Sequence, residues 1–190
     1  MILMGDEVQR SQNGSNNAFT MPVNMRVDIE DSPATFMGGW ALAWQYSDMQ
    51  KDMHAAVIEL IKIRKTYLTD IAAEFFTGRI DLGTQRKDIA WFRSDGLELN
   101  DDNWHERDRM QLAIFFEAKE EQGLLLLLNG SRDEVSFKLP DRQWGDSYRS
   151  IFDSTHPVAQ YEPQLRSPDE STTLSSHSVQ VWLVHHITVA

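Results

Sequence analysis

Bond-breaking chemistry needs side chains of suitable type, and the acidic pair Asp6-Glu7, directly behind Gly5, is the first candidate. Acid-assisted cleavage uses two carboxyl groups that flank the bond, one as acid and one as nucleophile. Neighbours on an extended strand point to opposite faces, so Asp6 and Glu7 do not bracket a bond by themselves. Read locally, they are the polar end of a strand closed by a glycine turn. Asn16 and Asn17 could offer amides to ligand hydroxyls or could simply build a turn, since Asn tolerates left-handed backbone and bonds its own chain. His185 and His186 are adjacent on a strand pattern and cannot easily share one ion. His54, His105, His156 and His177 lack a histidine partner one helical turn away. Asp101, Asp102, Glu106 and Asp108 present oxygens, but their spacing lacks the glycine and closing glutamate of a calcium loop. They read as a solvated acidic loop. There is no cysteine for a thiol nucleophile, disulfide or cysteine-ligated zinc. No His-Glu-x-x-His, phosphate-loop or dinucleotide motif occurs. No metal or cofactor is therefore expected in this chain.

The elements that would position these groups fall into three parts. Residues 1–4 are apolar, and residues 8–46 form a long stretch rich in Asn, Ser, Gln, Met and Gly. Such a stretch is unusual inside a compact domain and signals a functional loop or a segment separated from its neighbours. Residues 47–68 read as a helix. Ser47 and Gln50 give a capping-box pattern, and Asp48 suits the helix dipole. Met49, Met53, Ala56, Val57, Leu60, Ile61 and Ile63 supply the apolar stripe. From Phe75 onward the period becomes two. Strands are expected at 89–93, 112–117, 124–129, 135–139, 148–153, 171–175 and 178–185, with Asp95-Gly96 as a turn between runs. Short strands broken by polar turns predict an antiparallel β-sandwich of roughly 100 residues.

Composition narrows the partners. The chain has 190 residues, 41% apolar, with a formal net charge of -11. It can bury a real core. Nucleic acid and anionic membrane are poor partners, because both call for a basic face. The apolar start is too short for a signal peptide or a membrane span, so a soluble cytoplasmic protein is expected.

Several short motifs now fall into an order. Met4-Gly5-Asp6-Glu7 is followed by Gln9-Arg10 and by Gln12-Asn13-Gly14-Ser15-Asn16-Asn17-Ala18-Phe19. Asp88-Ile89-Ala90-Trp91-Phe92-Arg93 leads to Asp95-Gly96 and Asp101-Asp102-Asn103-Trp104. Leu125-Leu126-Leu127-Leu128-Asn129, Phe137-Lys138-Leu139-Pro140 and Asp153-Ser154-Thr155 complete the set. The series resembles the C-terminal part of glycogen debranching enzymes of the isoamylase/glycogen-operon type, in the α-amylase superfamily (glycoside hydrolase family 13). Two departures stand out. The family loop usually continues with a Cys-Gln-Asp-Asn-Glu stretch, where this chain reads Thr20-Met21-Pro22-Val23-Asn24-Met25-Arg26. The family's frequent Tyr is Phe19 here, without the hydroxyl.

The resemblance implies a mainly β chain: a C-terminal antiparallel β-sandwich preceded by the last strand-loop-helix unit of a TIM-type (β/α) barrel. Residues 1–70 would be that last β/α unit of an incomplete catalytic barrel, and residues 71–190 the all-β domain. The family's nucleophile, acid/base and third carboxylate lie on barrel strands four, five and seven, ahead of the matching segment. The complete enzyme would hydrolyse α-1,6 branches of an α-glucan, with this chain alone inactive. By the same resemblance Asp6, Glu7, Arg10, Asn16 and Asn17 would contact substrate. The catalytic barrel would be supplied by the same or a separate chain, and residues 1–70 would tend to self-associate, because an apolar strand without neighbours is an exposed edge.

A different reading makes the chain a non-catalytic sandwich that binds glucan or packs on a separate barrel chain. Exposed tryptophans stack on sugar rings. The alternating strand pattern sends Trp91 and Trp182 into the core, whereas Trp144 and Trp104, in polar turns, are the candidates for exposure.

Overall fold

The computed structural model describes residues 2–10, 36–37, 41–42, 46–68, 75–118 and 122–186. The chain divides into two compact units, residues 1–61 and 62–190.

In the first unit, the strand expected over residues 1–4 is not formed. The chain turns at Met4-Gly5, with Gly5 left-handed at φ 96°, and enters a 3-10 helix over Asp6–Val8. A strand needs a neighbour for its amides and carbonyls, and no described strand pairs with this segment. The turn bonds itself instead, with the Val8 and Arg10 amides both donating to the Gly5 carbonyl (3.1 and 2.9 Å). Strands β1 (Phe36–Met37) and β2 (Ala41–Leu42) pair antiparallel inside the stretch read as loop. The helix α1 (Asp48–Tyr67) starts where the sequence places it. The Gln50 amide donates to Ser47 Oγ (3.3 Å) and the Ser47 amide donates to Gln50 Oε1 (2.9 Å), which closes the capping box. The barrel-type unit is thus only partly visible, as a turn, a short hairpin and this helix.

The second unit is an antiparallel β-sandwich. Its strands are β3 (Ile89–Phe92), β4 (Gln111–Glu117), β5 (Gln122–Asn129), β6 (Val135–Lys138), β7 (Ser147–Asp153), β8 (Leu165–Arg166), β9 (Ser171–Leu174) and β10 (Ser178–His185), with a one-turn helix α2 (Asp101–Trp104) between β3 and β4. Six strands form one sheet in the order β3-β4-β5-β10-β7-β8, and β6 pairs with β9 in a second. All seven expected strands are present. Strand β8 has only two residues, too few to show a period. The acidic loop contains α2, because Asn100 and Asn103 exchange side chain-to-backbone bonds (3.2 and 3.0 Å) in a reciprocal cap.

Period-two alternation locates the core. Ala90 and Phe92, Ala113 and Phe115, Leu125 and Leu127, and Trp182 and Val184 face Phe137, Leu139 and Leu174 across the sandwich. The other face of the large sheet is apolar as well. Leu124, Val181 and Leu183 are buried there, so β5 reads as an unbroken leucine run instead of alternating. Two tryptophans differ from expectation. Trp144 is only 7% exposed, and its ring meets Phe92 and Phe115 edge-on at 4.8 and 5.3 Å. The polar turn around it bends inward because the gap beside Phe92 and Phe115 takes a large apolar ring. Trp91 lies between Ala90 and Phe92, and its strand sends it to the outer face, where it is half-buried. Trp182 is in the core as expected.

Candidate functional site

The N-terminal turn carries three of the residues singled out from sequence. Asp6 and Glu7 do not alternate across a strand; they sit in the 3-10 helix, and each already has a structural partner. Asp6 Oδ1 accepts from Arg10 Nε at 2.9 Å. Glu7 Oε2 accepts from the Gly5 amide at 2.7 Å. Gln50 reaches this turn from α1: its Nε2 donates to the Val8 carbonyl at 2.9 Å, and the residue is buried. The sequence assigns Gln50 to the cap alone; its second bond, spanning more than 40 residues, carries no local signal. Asp6, Glu7 and Arg10 are thereby fixed together at the start of α1. Asn16 and Asn17 lie outside the described residues.

The polar residues of the family motifs close turns. Asp88 accepts from the amides of Thr77 and Gly78, both at 2.7 Å, and from the Thr77 hydroxyl at 3.1 Å. Burial alone would raise its pKa, but these donors outweigh it and hold the carboxyl below the usual range. Asp95 pairs with Arg93 and accepts from the Leu97 amide at 3.2 Å. Its neighbour Gly96 is left-handed at φ 82°, and a Cβ there would meet the Lys138 carbonyl at 3.0 Å. Asn129 donates to the carbonyls of Asp133 and Ser175 and accepts from the Ser131 amide and hydroxyl. Asp153 accepts from the Thr155 amide and hydroxyl with one oxygen and from Gln180 Nε2 with the other. Gln180 Oε1 in turn takes the Trp182 indole N–H at 3.1 Å. Each of these side chains bonds the backbone of its own loop, so they are determinants of loop shape.

One charged cluster is unforeseen by the sequence. Arg86 grips Glu117 at the end of β4 through Nε and Nη2, with both contacts at 3.1 Å. His186, just past β10, is buried, with Nε2 3.4 Å from Glu117 Oε2. The pair meets in distance but not in hydrogen-bond geometry, and neither ring nitrogen has a bonded partner. Arg86, Asp88 and Glu117 also line an open cavity of about 470 Å³ with Thr77, Asp81 and Thr84. The three elements are far apart in sequence, so only the register β3-β4-β5-β10 brings them together. His185 and His186 do part to opposite faces, and His185 is held below its ordinary pKa by burial, then by Arg149 and His186. Among the described residues no group of three His, Cys, Asp or Glu side chains is placed to hold a metal ion. No helix among them is long and apolar enough to cross a membrane.

The described residues of the second unit therefore define an antiparallel β-sandwich domain whose motif residues shape loops. The chain belongs to the family described as isoamylase, C-terminal, which matches residues 88–185, half of its length. The match begins at Asp88 and ends at the last residue of β10. The chain is 24% identical, over 89% of its length, to a glycogen operon protein GlgX homolog of Mycobacterium bovis. It is 27% identical over 76% of its length to an isoamylase of a Flavobacterium species. With a glycogen debranching enzyme of Pectobacterium atrosepticum it shares 29% identity over 83% of its length. It spans only 23%, 18% and 20% of those three proteins respectively.

Proposed function

We propose that this chain is the C-terminal part of an α-glucan debranching hydrolase that cleaves α-1,6 branches when its catalytic barrel is present. Residues 1–70 form the last β/α unit of that barrel, and residues 71–190 form its all-β domain. The chain alone does not hydrolyse glucan. The observation that carries the reading is the isoamylase C-terminal match over residues 88–185, together with relatives named as glycogen-processing enzymes. A second support is geometric: Asp6 and Glu7 are neighbours in one 3-10 turn, where they close that turn through Arg10 and the Gly5 amide, and a pair so placed does not bracket a bond as acid and nucleophile. In the complete enzyme, Asp6, Glu7 and Arg10, with Asn16 and Asn17, edge the substrate cleft.

The barrel portion is the main partner. Met49, Met53, Ile58, Leu60 and Ile61 on α1 are exposed, as are Ile2, Leu3 and Met4. Met49, Met53 and Leu60 fall on one side of the helix by its period, and large apolar side chains left in solvent on one side suit a surface that a partner covers. The test measures reducing ends released from a branched glucan, first by the purified chain and then by the chain mixed with a relative's barrel portion ending before this segment. The expected result is no release by the chain and debranching by the mixture. Release by the chain alone would overturn the reading.

A further inference from the structure

The outer face of β3 carries an aromatic pair that the sandwich core does not use. Trp104, the last residue of α2, stands edge-on to Trp91, with ring centroids 5.7 Å apart and planes at 74°. Trp104 is nevertheless 53% exposed. Trp is on average a largely buried residue, and an indole left with open surface suits stacking against a ligand ring. Its backbone is held on both sides: the Asn100–Asn103 cap fixes α2, and Asn103 Nδ2 donates onward to Glu106 Oε1 at 3.1 Å.

Glu106 also borders an open groove of about 500 Å³, lined by Arg93, Asp95, Glu106, Arg107, Asp108 and Arg109. Arg93 is two residues beyond Trp91 and Glu106 two beyond Trp104, so both chain segments that carry the aromatic pair run on into the groove lining, although neither ring is part of that lining. Three guanidinium groups face three carboxylates, which leaves the groove without net charge. Arg93 pairs with Asp95, and Arg109 Nη2 donates to Glu106 Oε2 at 2.5 Å. A guanidinium has five N–H donors and a carboxylate several acceptor sites, so these pairs keep unused capacity in a fixed arrangement. An anionic ligand would gain nothing from a neutral groove on a chain with a net charge of -11. A ligand with apolar C–H faces and many hydroxyls fits both halves: a ring on the indole, hydroxyls in the groove.

We propose that Trp104 and the adjoining groove form a binding surface for a glucose chain, with one pyranose ring stacked on the Trp104 indole and neighbouring hydroxyls bonded to Arg93 and Glu106. This rests on the glucan reading above and adds residues of the second unit that the reading does not name. The probe is maltoheptaose, titrated by calorimetry into the full chain, with Trp104→Ala, Trp104→Phe and Arg93→Ala compared. Thermal unfolding checks that each variant is folded. The expected result is that Trp104→Ala weakens binding at least tenfold, Trp104→Phe keeps most of it, and Arg93→Ala weakens it. Equal affinity of folded Trp104→Ala and the original chain would overturn the site, as would no binding by the original chain. Restoration of debranching by the mixed barrel portion tests the parent reading separately, so a failed titration with successful restoration rejects the Trp104 surface alone.

Discussion

Gly145 sits in the turn before β7, and its missing side chain sets how closely that turn approaches β10. A Cβ built there would lie 2.3 Å from Val184 Cγ1, 3.1 Å from Tyr148 Cζ and 3.2 Å from its hydroxyl oxygen. Carbon atoms pack at about 3.5–4.0 Å, so Gly145→Ala must find roughly 1.2 Å of room. The backbone of β10 cannot yield easily, because Val184 pairs with Gly123 on one side and Tyr148 on the other. Rotation of a β-branched side chain is restricted too. Overpacking of this kind costs about 1–3 kcal/mol, and the size of the overlap favours the upper end. Val184→Ala removes the clashing methyl and by itself costs roughly 1.5–3 kcal/mol of lost burial. In that background Gly145→Ala has only the Tyr148 contacts to relieve, a shift of a few tenths of an ångström. The double variant should therefore be more stable than the sum of the singles by about 1–2 kcal/mol. Urea unfolding followed by tryptophan fluorescence measures all four corners of the cycle. A Gly145→Ala cost below about 0.5 kcal/mol, or additivity within about 0.3–0.5 kcal/mol, would refute the packing described here.

Other outcomes follow from single contacts. Gln50→Ala removes a cap and a buried bond to the Val8 carbonyl, so it should destabilise by about 1–3 kcal/mol; proteolysis near residues 8–10 should speed up, and unchanged cleavage would count against the link. His185 is held below its ordinary pKa, so its stabilising share is complete above the unfolded value of about 6.5 and is lost as pH falls through the folded value. His185→Gln should flatten the slope of stability against pH just below neutrality; an unchanged slope contradicts the assignment. Asp88 is also depressed, so its contribution is present above an unfolded value of about 3.9 and disappears as pH falls through the lower folded value. Asp88→Asn should lose stability at neutral pH and show less further loss on acidification than the original chain, as read by thermal unfolding at several pH values. Glu117→Gln should weaken the hold on Arg86 and lower the melting temperature by a few degrees, at about 2–4 °C per kcal/mol; an unaltered melting temperature would mean that the Arg86–Glu117 contact is not formed in solution.

Much of the sandwich was legible because its signal is local. Alternation marks β3, β4, β6, β7, β9 and β10, and Asp95-Gly96 marks its turn by the left-handed glycine it needs. The continuous leucines of β5 also announce burial on both faces. The errors lie where tertiary context decides. Ile2, Leu3 and Met4 have strand-like composition, yet without a pairing partner they pass into a turn. Trp144 lies in a polar run that suggests exposure, but the sandwich has a gap beside Phe92 and Phe115 that only a large ring fills. Trp91 follows its strand's parity to the outer face, which alternation gives only once Ala90 and Phe92 are known to face inward. The Arg86–Glu117–His186 cluster joins three segments that approach only through strand order, so no spacing rule could have found it.

What the motif residues do explains why the family was legible while the site was less so. Asp88, Asp95, Asn103, Asn129 and Asp153 are the polar positions by which the resemblance is seen, and each spends a side-chain oxygen on nearby backbone N–H. A carboxylate that closes a turn tolerates few replacements, since neither Glu nor Ala reproduces its short reach to two amides. Such a motif reports the shape of loops at the ends of a sheet and says nothing direct about a substrate. Within the sandwich, function must then be sought among residues the fold does not consume. The Trp104 indole meets that condition: it is exposed although α2 and Trp91 hold it in place, and the groove beside it has capacity left after its own ion pairs. Residues that keep the fold should lose stability when replaced and leave ligand affinity alone, whereas Trp104 should do the reverse.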